Sequence, residues 1–206
     1  MRINRPPPGE ELNFGKAVKP RPAASLILLR DGAEGAEVLL VQRNPEQRFM
    51  GGAWVFPGGG THEDDDGPAA TARRELAEET GMRLPPDAEL VPFARWIAPE
   101  QVTVRFDTWF FVAAAPPGAS PSVDGSECVD ARWIRPVDAL AAHARGELLL
   151  VFPTIKNLER LGEHGSVAET LAAARERPVV AVQPRVVVRD EEAEVLLPGE
   201  PGYDDP

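Results

Sequence analysis

A chain of 206 residues with a 43% hydrophobic share can bury one sizeable core, or one core plus an appendage. Its net charge of −11 argues against a general nucleic-acid binder, which needs a basic face, although acidic enzymes still bind phosphates where dications reverse the local sign. The single cysteine, Cys128, excludes an intrachain disulfide framework and a cysteine-based zinc site, and no apolar run reaches the roughly 20 residues that span a bilayer.

Residues 1–22 carry Pro6, Pro7, Pro8, Pro20 and Pro22 and read as an extended arm, with one domain following over 23–206. The arm lacks the apolar stretch of a secretory signal, so the expected compartment is cytoplasmic. Ala23 to Leu29 and Glu37 to Gln42 are apolar runs separated by Gly and Glu, which predicts strand, turn, strand. Gly52 to Phe56 leads as a strand into a glycine turn, Pro57 to Gly60. A helix is expected from about Pro68, a residue suited to a first helical position, to Gly81, a residue suited to ending it. Ala69, Ala72 and Leu76 form its narrow apolar stripe, expected opposite its acids. Strands are expected over Glu89 to Ala98, Val102 to Ala113 and Val129 to Ile134, and helices over Pro136 to Ala144, Thr154 to Gly162 and Val167 to Arg175. Val186 to Val188 is a further β-like run in the tail. Interleaved strands and helices indicate an α/β domain with a mixed sheet.

The helix after the glycine turn carries the chemistry. Glu75, Glu78 and Glu79 fall at i, i+3 and i+4 on one face, where like charges repel by roughly 0.2–0.5 kcal/mol per exposed pair. That arrangement gains only if something positive sits there, and a hard divalent cation takes carboxylate and backbone oxygens. The plain alternative is a solvated acidic face, with Arg74 and Glu78 as an ordinary i,i+4 pair and Asp64 to Asp66 favouring the helix N-terminus. No Ser-His-Asp constellation is visible, and His62, His143 and His164 lack metal-ligand spacing.

The segment 57–82 resembles the Nudix box, Gly-x5-Glu-x7-Arg-Glu-U-x-Glu-Glu-x-Gly-U with U aliphatic. Arg74, Glu75, Leu76, Glu78, Glu79, Gly81 and Met82 match its second half. Counting back from Arg74 places Asp66 where the family has glutamate and Gly60 at the leading glycine. The family's Pro-Gly-Gly corner is Pro57-Gly58-Gly59, so the loop carries one added residue and the glycine falls at Gly59 or Gly60. The resemblance implies a Nudix-type α/β/α sandwich with a C-terminal extension from about residue 145. It implies Mg²⁺- or Mn²⁺-dependent hydrolysis of a small-molecule nucleoside diphosphate linked to another moiety and, by resemblance alone, a homodimer. The acidic charge and short apolar runs argue against a nucleic-acid or membrane partner, and the missing Ser-His-Asp set against a covalent intermediate. Glu75, Glu78 and Glu79 would hold the metal, joined by the carbonyl of Gly59 or Gly60, while Arg74 orients a carboxylate. Glu127, in a loop before a strand carrying Trp133, fits the place of the family's later catalytic glutamate, with neighbouring Asp124 as the substitute.

A second resemblance is to the coenzyme A diphosphatase branch. Leu39, Leu40, Arg48, Gly52, Phe56, Pro57, Gly58 and Gly59 fall at its signature spacing, while Val41, Arg43 and Asn44 replace its hydroxyl-bearing and small positions. Arg-Pro-Ala-Ala at 21–24, Phe49 to Gly59 and Arg105 to Phe111 are similar to the animal peroxisomal type and its bacterial relatives. The chain closes Asp-Asp-Pro, so peroxisomal targeting is not carried over. The implied substrate is coenzyme A or an acyl-CoA, cut to a phosphopantetheine and 3′,5′-ADP. The alternatives are an ADP-ribose, NADH or other nucleotide-sugar or dinucleotide diphosphatase, and a non-catalytic nucleotide-sensing module. Arg43, Arg48, Arg95 and Arg105 are candidates for the substrate's phosphates, and Trp54, Trp96 or Trp109 for stacking a base, with core packing the alternative for each Trp.

Overall fold

The computed structural model describes residues 2–3, 11–13, 15–123, 125–189 and 192–205. In chain order the elements are β1 (Arg2–Ile3), β2 (Arg21–Gly32), β3 (Gly35–Arg43), β4 (Trp54–Val55), β5 (Gly58–Gly60) and α1 (Gly67–Thr80). Next come β6 (Val91–Ile97), β7 (Phe106–Ala114), β8 (Cys128–Ile134), α2 (Pro136–Ala144), α3 (Phe152–Leu161), α4 (Val167–Glu176), β9 (Ala181–Val182), β10 (Arg185–Arg189) and β11 (Glu192–Leu196).

The main sheet runs β4-β3-β2-β7-β6-β9, with β5 also on β2 and β8 on β3. It is mixed: β2 pairs parallel to β7 and β6 parallel to β9, while the other pairs are antiparallel. The length of β2 lets it serve two neighbours on one edge. Leu29 to Gly32 pair with β3, and Ala23 to Ser25 pair with the three glycines of β5. Successive β2 side chains point to opposite faces, as the pleat requires. Leu26 and Leu28 join Ala72, Leu76 and Met82 on the α1 side, whereas Ile27 and Leu29 join Leu158, Leu161 and Val167 on the side of the later helices. Helices therefore cover both faces, and the expected α/β sandwich with a mixed sheet is what the chain forms.

Several boundaries move for visible reasons. The second expected strand begins at Phe106 rather than Val102, because Val102 instead bridges to Leu12 and Thr103 donates to the Glu11 carbonyl at 3.0 Å. Part of the expected arm is thus paired: Leu12 sits against that loop, and Arg2–Ile3 pair with β11. In the tail, the run at 186–188 becomes β10 of a hairpin with β11, forming the separate sheet β1-β11-β10.

Helix α1 ends as expected, on a left-handed Gly81 (φ 68°) whose N–H donates to the Ala77 carbonyl. The stripe geometry is corrected. Glu75 and Glu79 do not lie opposite Ala72 and Leu76 but are buried beside them, and Glu78 alone of the three turns outward. The glycine strand explains this. A Cβ on Gly59 would come within 2.5 Å of the Glu75 carboxylate, so the bare strand leaves the space that this carboxylate fills.

Candidate active site

Two carboxylates of α1, Glu75 and Glu79, line a cleft of about 490 Å³, whereas Glu78 does not. Glu127, Arg43, Ser25 and the glycines of β5 line it with them, as do the apolar Phe49, Met50, Trp96, Phe106 and Phe152. Volumes in the range of roughly 300–1,000 Å³ suit small organic ligands.

Glu79 is 2% exposed. Its oxygens accept from the Gly58 N–H at 3.0 Å and from the Cys128 thiol at 3.4 Å. Burial nevertheless dominates and pushes its carboxyl up to about 7, with the Glu75 charge adding to the rise and Arg43 opposing it. Glu75 is raised as well, first by burial, against the pull of Arg74; the charges of Glu78 and Glu127 raise it further.

Arg74 organises the rest. Its Nη1 donates to Glu75 and to Glu78, each at 2.8 Å, and its Nη2 donates to the Gly60 carbonyl at 2.9 Å. Its Nε and Nη2 also form a two-pronged pair with Asp65, at 3.0 and 2.9 Å. Asp65 further accepts from the Thr71 hydroxyl and from the His62 backbone N–H, and the Arg74 guanidinium holds its carboxyl well below the usual range. Part of the positive charge that the acidic face requires is therefore supplied from within the helix.

Asp65 is the residue that counting missed. Asp66 precedes the helix and makes no side-chain cap bond. Taking Gly59 as the leading glycine puts Asp65 at the box's first acid and the added residue between Asp65 and Arg74, at the turn through Gly67 (φ +81°). Asp65→Asn should then lower stability by about 2 kcal/mol, the worth of hydrogen bonds to a charged group, and reduce turnover. Asp66→Asn should move stability by less than about 0.5 kcal/mol. Urea unfolding of the two variants checks the assignment, and equal losses would contradict it.

The other expected residues separate. Arg43 lines the cleft, its Nε donating to the Phe49 carbonyl at 3.3 Å. Arg105 does not reach it: 5% exposed, its guanidinium is spent on the carbonyls of Ala98 and Val18, tying the chain before β2 to the β6–β7 connection. Arg48 stands outside, its side chain 90% exposed and 3.8 Å from Glu11. Arg95 is paired with Asp107 and lies over Trp109. Trp54 is core, capped by the Arg132 guanidinium 4.6 Å from its ring centroid, whereas Trp96 does line the cleft. Asp124 lies outside the described residues. Glu127 is on the cleft wall, and its carbonyl accepts from the Asn44 N–H at 2.8 Å.

All the site's acidic donors are oxygens, the set a hard dication prefers. Among the described residues no three His, Cys, Asp or Glu side chains already converge on one point. Arg74 holds Glu75 and Glu78, so a cation would have to draw these carboxylates from the guanidinium.

A mixed sheet between helices, with a glycine strand packed on an acidic helix beside a cleft, is the class of α/β domain this chain forms. A NUDIX domain model matches residues 19–152, and the chain belongs to that family. Among solved structures it is similar to a NUDIX hydrolase from Alicyclobacillus acidocaldarius, at 29% identity and TM-score 0.67, covering 75% of this chain and 96% of that one. The NUDIX domain of Shewanella oneidensis NrtR, solved with ADP ribose, shares the fold at 22% identity and TM-score 0.57, covering 71% and 88%. A MutT NUDIX hydrolase from Burkholderia pseudomallei does so at 20% identity and TM-score 0.54, covering 69% and 98%. An octanoyltransferase of Myxococcus xanthus is 41% identical over 69 residues, 34% of this chain but 18% of that protein's length. No helix among the described residues is long and apolar enough to cross a membrane.

Proposed function

We propose that this chain hydrolyses a nucleoside diphosphate linked to another moiety, using Mg²⁺ or Mn²⁺, and that coenzyme A or an acyl-CoA is its substrate. The observation that carries the reading is the meeting of Glu75, Glu79 and Glu127 with Arg43 and the glycine strand in one cleft. The donor set fits a hard dication, and burial leaves Glu79 short of compensating positive charge, which such an ion would provide. Glu75, Glu78 and Glu79 would hold it. Gly59 is the better candidate for the backbone oxygen, because the Gly60 carbonyl already accepts from Arg74.

When bound, the dication offsets the diphosphate's charge and acidifies the attacking water. The chain's own groups do the remainder. Arg43, which lines the same cleft, binds diphosphate oxygens. Arg74, itself fixed by Asp65, sets the positions of Glu75 and Glu78. Glu127 accepts the water's proton as it attacks, and the apolar body of the cleft keeps other water out.

The partial signature ending in Phe56-Pro57-Gly58-Gly59 supports coenzyme A. So does the spacing of Arg48, an exposed guanidinium next in sequence to the cleft-lining Phe49 and Met50, which would meet the 3′-phosphate. With Mg²⁺ present, coenzyme A should be cut to phosphopantetheine and 3′,5′-ADP at a kcat/KM above those for ADP-ribose and NADH. Product identification by mass spectrometry decides it. ADP-ribose cleaved as fast as coenzyme A would remove the coenzyme A reading.

A further inference from the structure

The family model ends at residue 152, yet the cleft does not. One of its walls is built by the C-terminal hairpin, through Pro184, Val186, Ala193 and Val195. The hairpin is fixed in place. The Val186 N–H donates to the Gln101 side chain at 3.2 Å, and β11 pairs with both β10 and β1. Arg185 donates to the Tyr203 carbonyl at 2.7 Å, while the Tyr203 hydroxyl donates to the Gln183 carbonyl at 2.7 Å.

The charged side chains lining the cleft are Arg43, Glu75, Glu79 and Glu127, and none of them belongs to the hairpin. The diphosphate reading places the reaction at these groups. Among the described residues, those by which the hairpin lines the cleft carry no polar side chain. A nucleobase or sugar pressed against it would lose water from its donors and acceptors without gaining partners, at a cost of roughly 1–3 kcal/mol per group. A saturated chain has no such groups to strand, and its burial is favourable. The hairpin residues and the carboxylates line one and the same cavity, so one substrate occupying it can meet both.

We infer that the β10–β11 hairpin is a specificity element, and that Val186 and Val195 select a diphosphate whose linked moiety carries an aliphatic chain. The inference deepens the diphosphatase reading and rests on it. The substrate spans the cleft with its diphosphate at Glu75, Glu79 and Arg43 and its chain along the hairpin. Residues outside the family domain thereby set which diphosphate the domain accepts.

The test compares methyl diphosphate with hexyl diphosphate, a pair that lacks any nucleoside and differs only in aliphatic length. Calorimetric titration of the full chain in Mg²⁺ should show hexyl diphosphate binding at least about tenfold more tightly, a fraction of what five buried methylenes offer. Val186→Ser, at a half-buried position, should cut that ratio about threefold or more while methyl diphosphate affinity stays within about twofold. Val195→Ser should do the same, and Val186→Ser carries the test if the more buried Val195 variant does not fold. Equal affinities, no measurable binding of hexyl diphosphate, or a ratio unchanged in the folded variants would overturn the inference. Hydrolysis of coenzyme A by the same preparation is scored separately, so failure of the substrate reading is told apart from failure of the hairpin's role.

Discussion

Glu78→Gln should reduce turnover of any accepted diphosphate at least about 100-fold, roughly 3 kcal/mol of transition-state stabilisation, while the fold stays intact. The two halves of that expectation come from different features. Glu78 is the outward-facing acid of α1, with a 57% exposed side chain, and its pair with Arg74 is an i,i+4 surface contact. Such pairs contribute roughly 0–1 kcal/mol, so thermal unfolding should shift by only a few degrees. Its shape-conserving replacement removes the charge but keeps a hydrogen-bond acceptor for Arg74. A large loss of kcat beside a nearly unchanged melting temperature therefore assigns the residue to chemistry. Wild-type kcat in the variant would remove Glu78 from the mechanism and favour the solvated-face reading of the helix.

The second large effect is on stability and concerns Glu79. Its carboxyl is raised by burial from an ordinary 4.5 to about 7. Below pH 4.5 it is protonated in both the folded and the unfolded chain. Between 4.5 and 7 the unfolded chain has released the proton while the folded chain keeps it, so stability falls as pH rises through that window. The loss reaches about 3 kcal/mol above pH 7. Glu75, raised in the same direction, adds to it. Urea unfolding of the chelated protein at pH 5 and pH 8 measures the drop. Glu79→Gln should abolish most of it, because the neutral side chain carries no charge to desolvate. Mg²⁺ or Mn²⁺ should restore stability at pH 8 by binding only the folded state. A stability that is flat across the window would contradict the burial of an uncompensated acid.

Much of this site was legible in the chain because its signals are local. Arg74 through Met82 fixes residue types on one short helix, and helical spacing alone brings Glu75 and Glu79 to one side. Gly81 as a stop follows from backbone conformation at that one residue. What escaped depends on contacts between distant segments. Asp65 and Asp66 are indistinguishable by counting, since the turn through Gly67 decides which one meets Arg74. Arg105 reads as a free cation in sequence, because nothing local announces that the carbonyls of Ala98 and Val18 take its donors. The burial of Glu75 beside Leu76 depends on the missing Cβ of Gly59, which belongs to another strand. The β-like run at 186–188 was visible, but its seat against Gln101 and the cleft is set across more than eighty residues.

The claim on which the chemistry depends is that the buried acids of α1 become fully charged by sharing a dication. Titration calorimetry of the chelator-stripped chain at pH 8, with Mg²⁺ or Mn²⁺ and a nonhydrolysed diphosphate present, should show saturable uptake that is lost in Glu79→Gln. An absence of uptake by the wild-type chain, or uptake that survives unchanged in that variant, would contradict it.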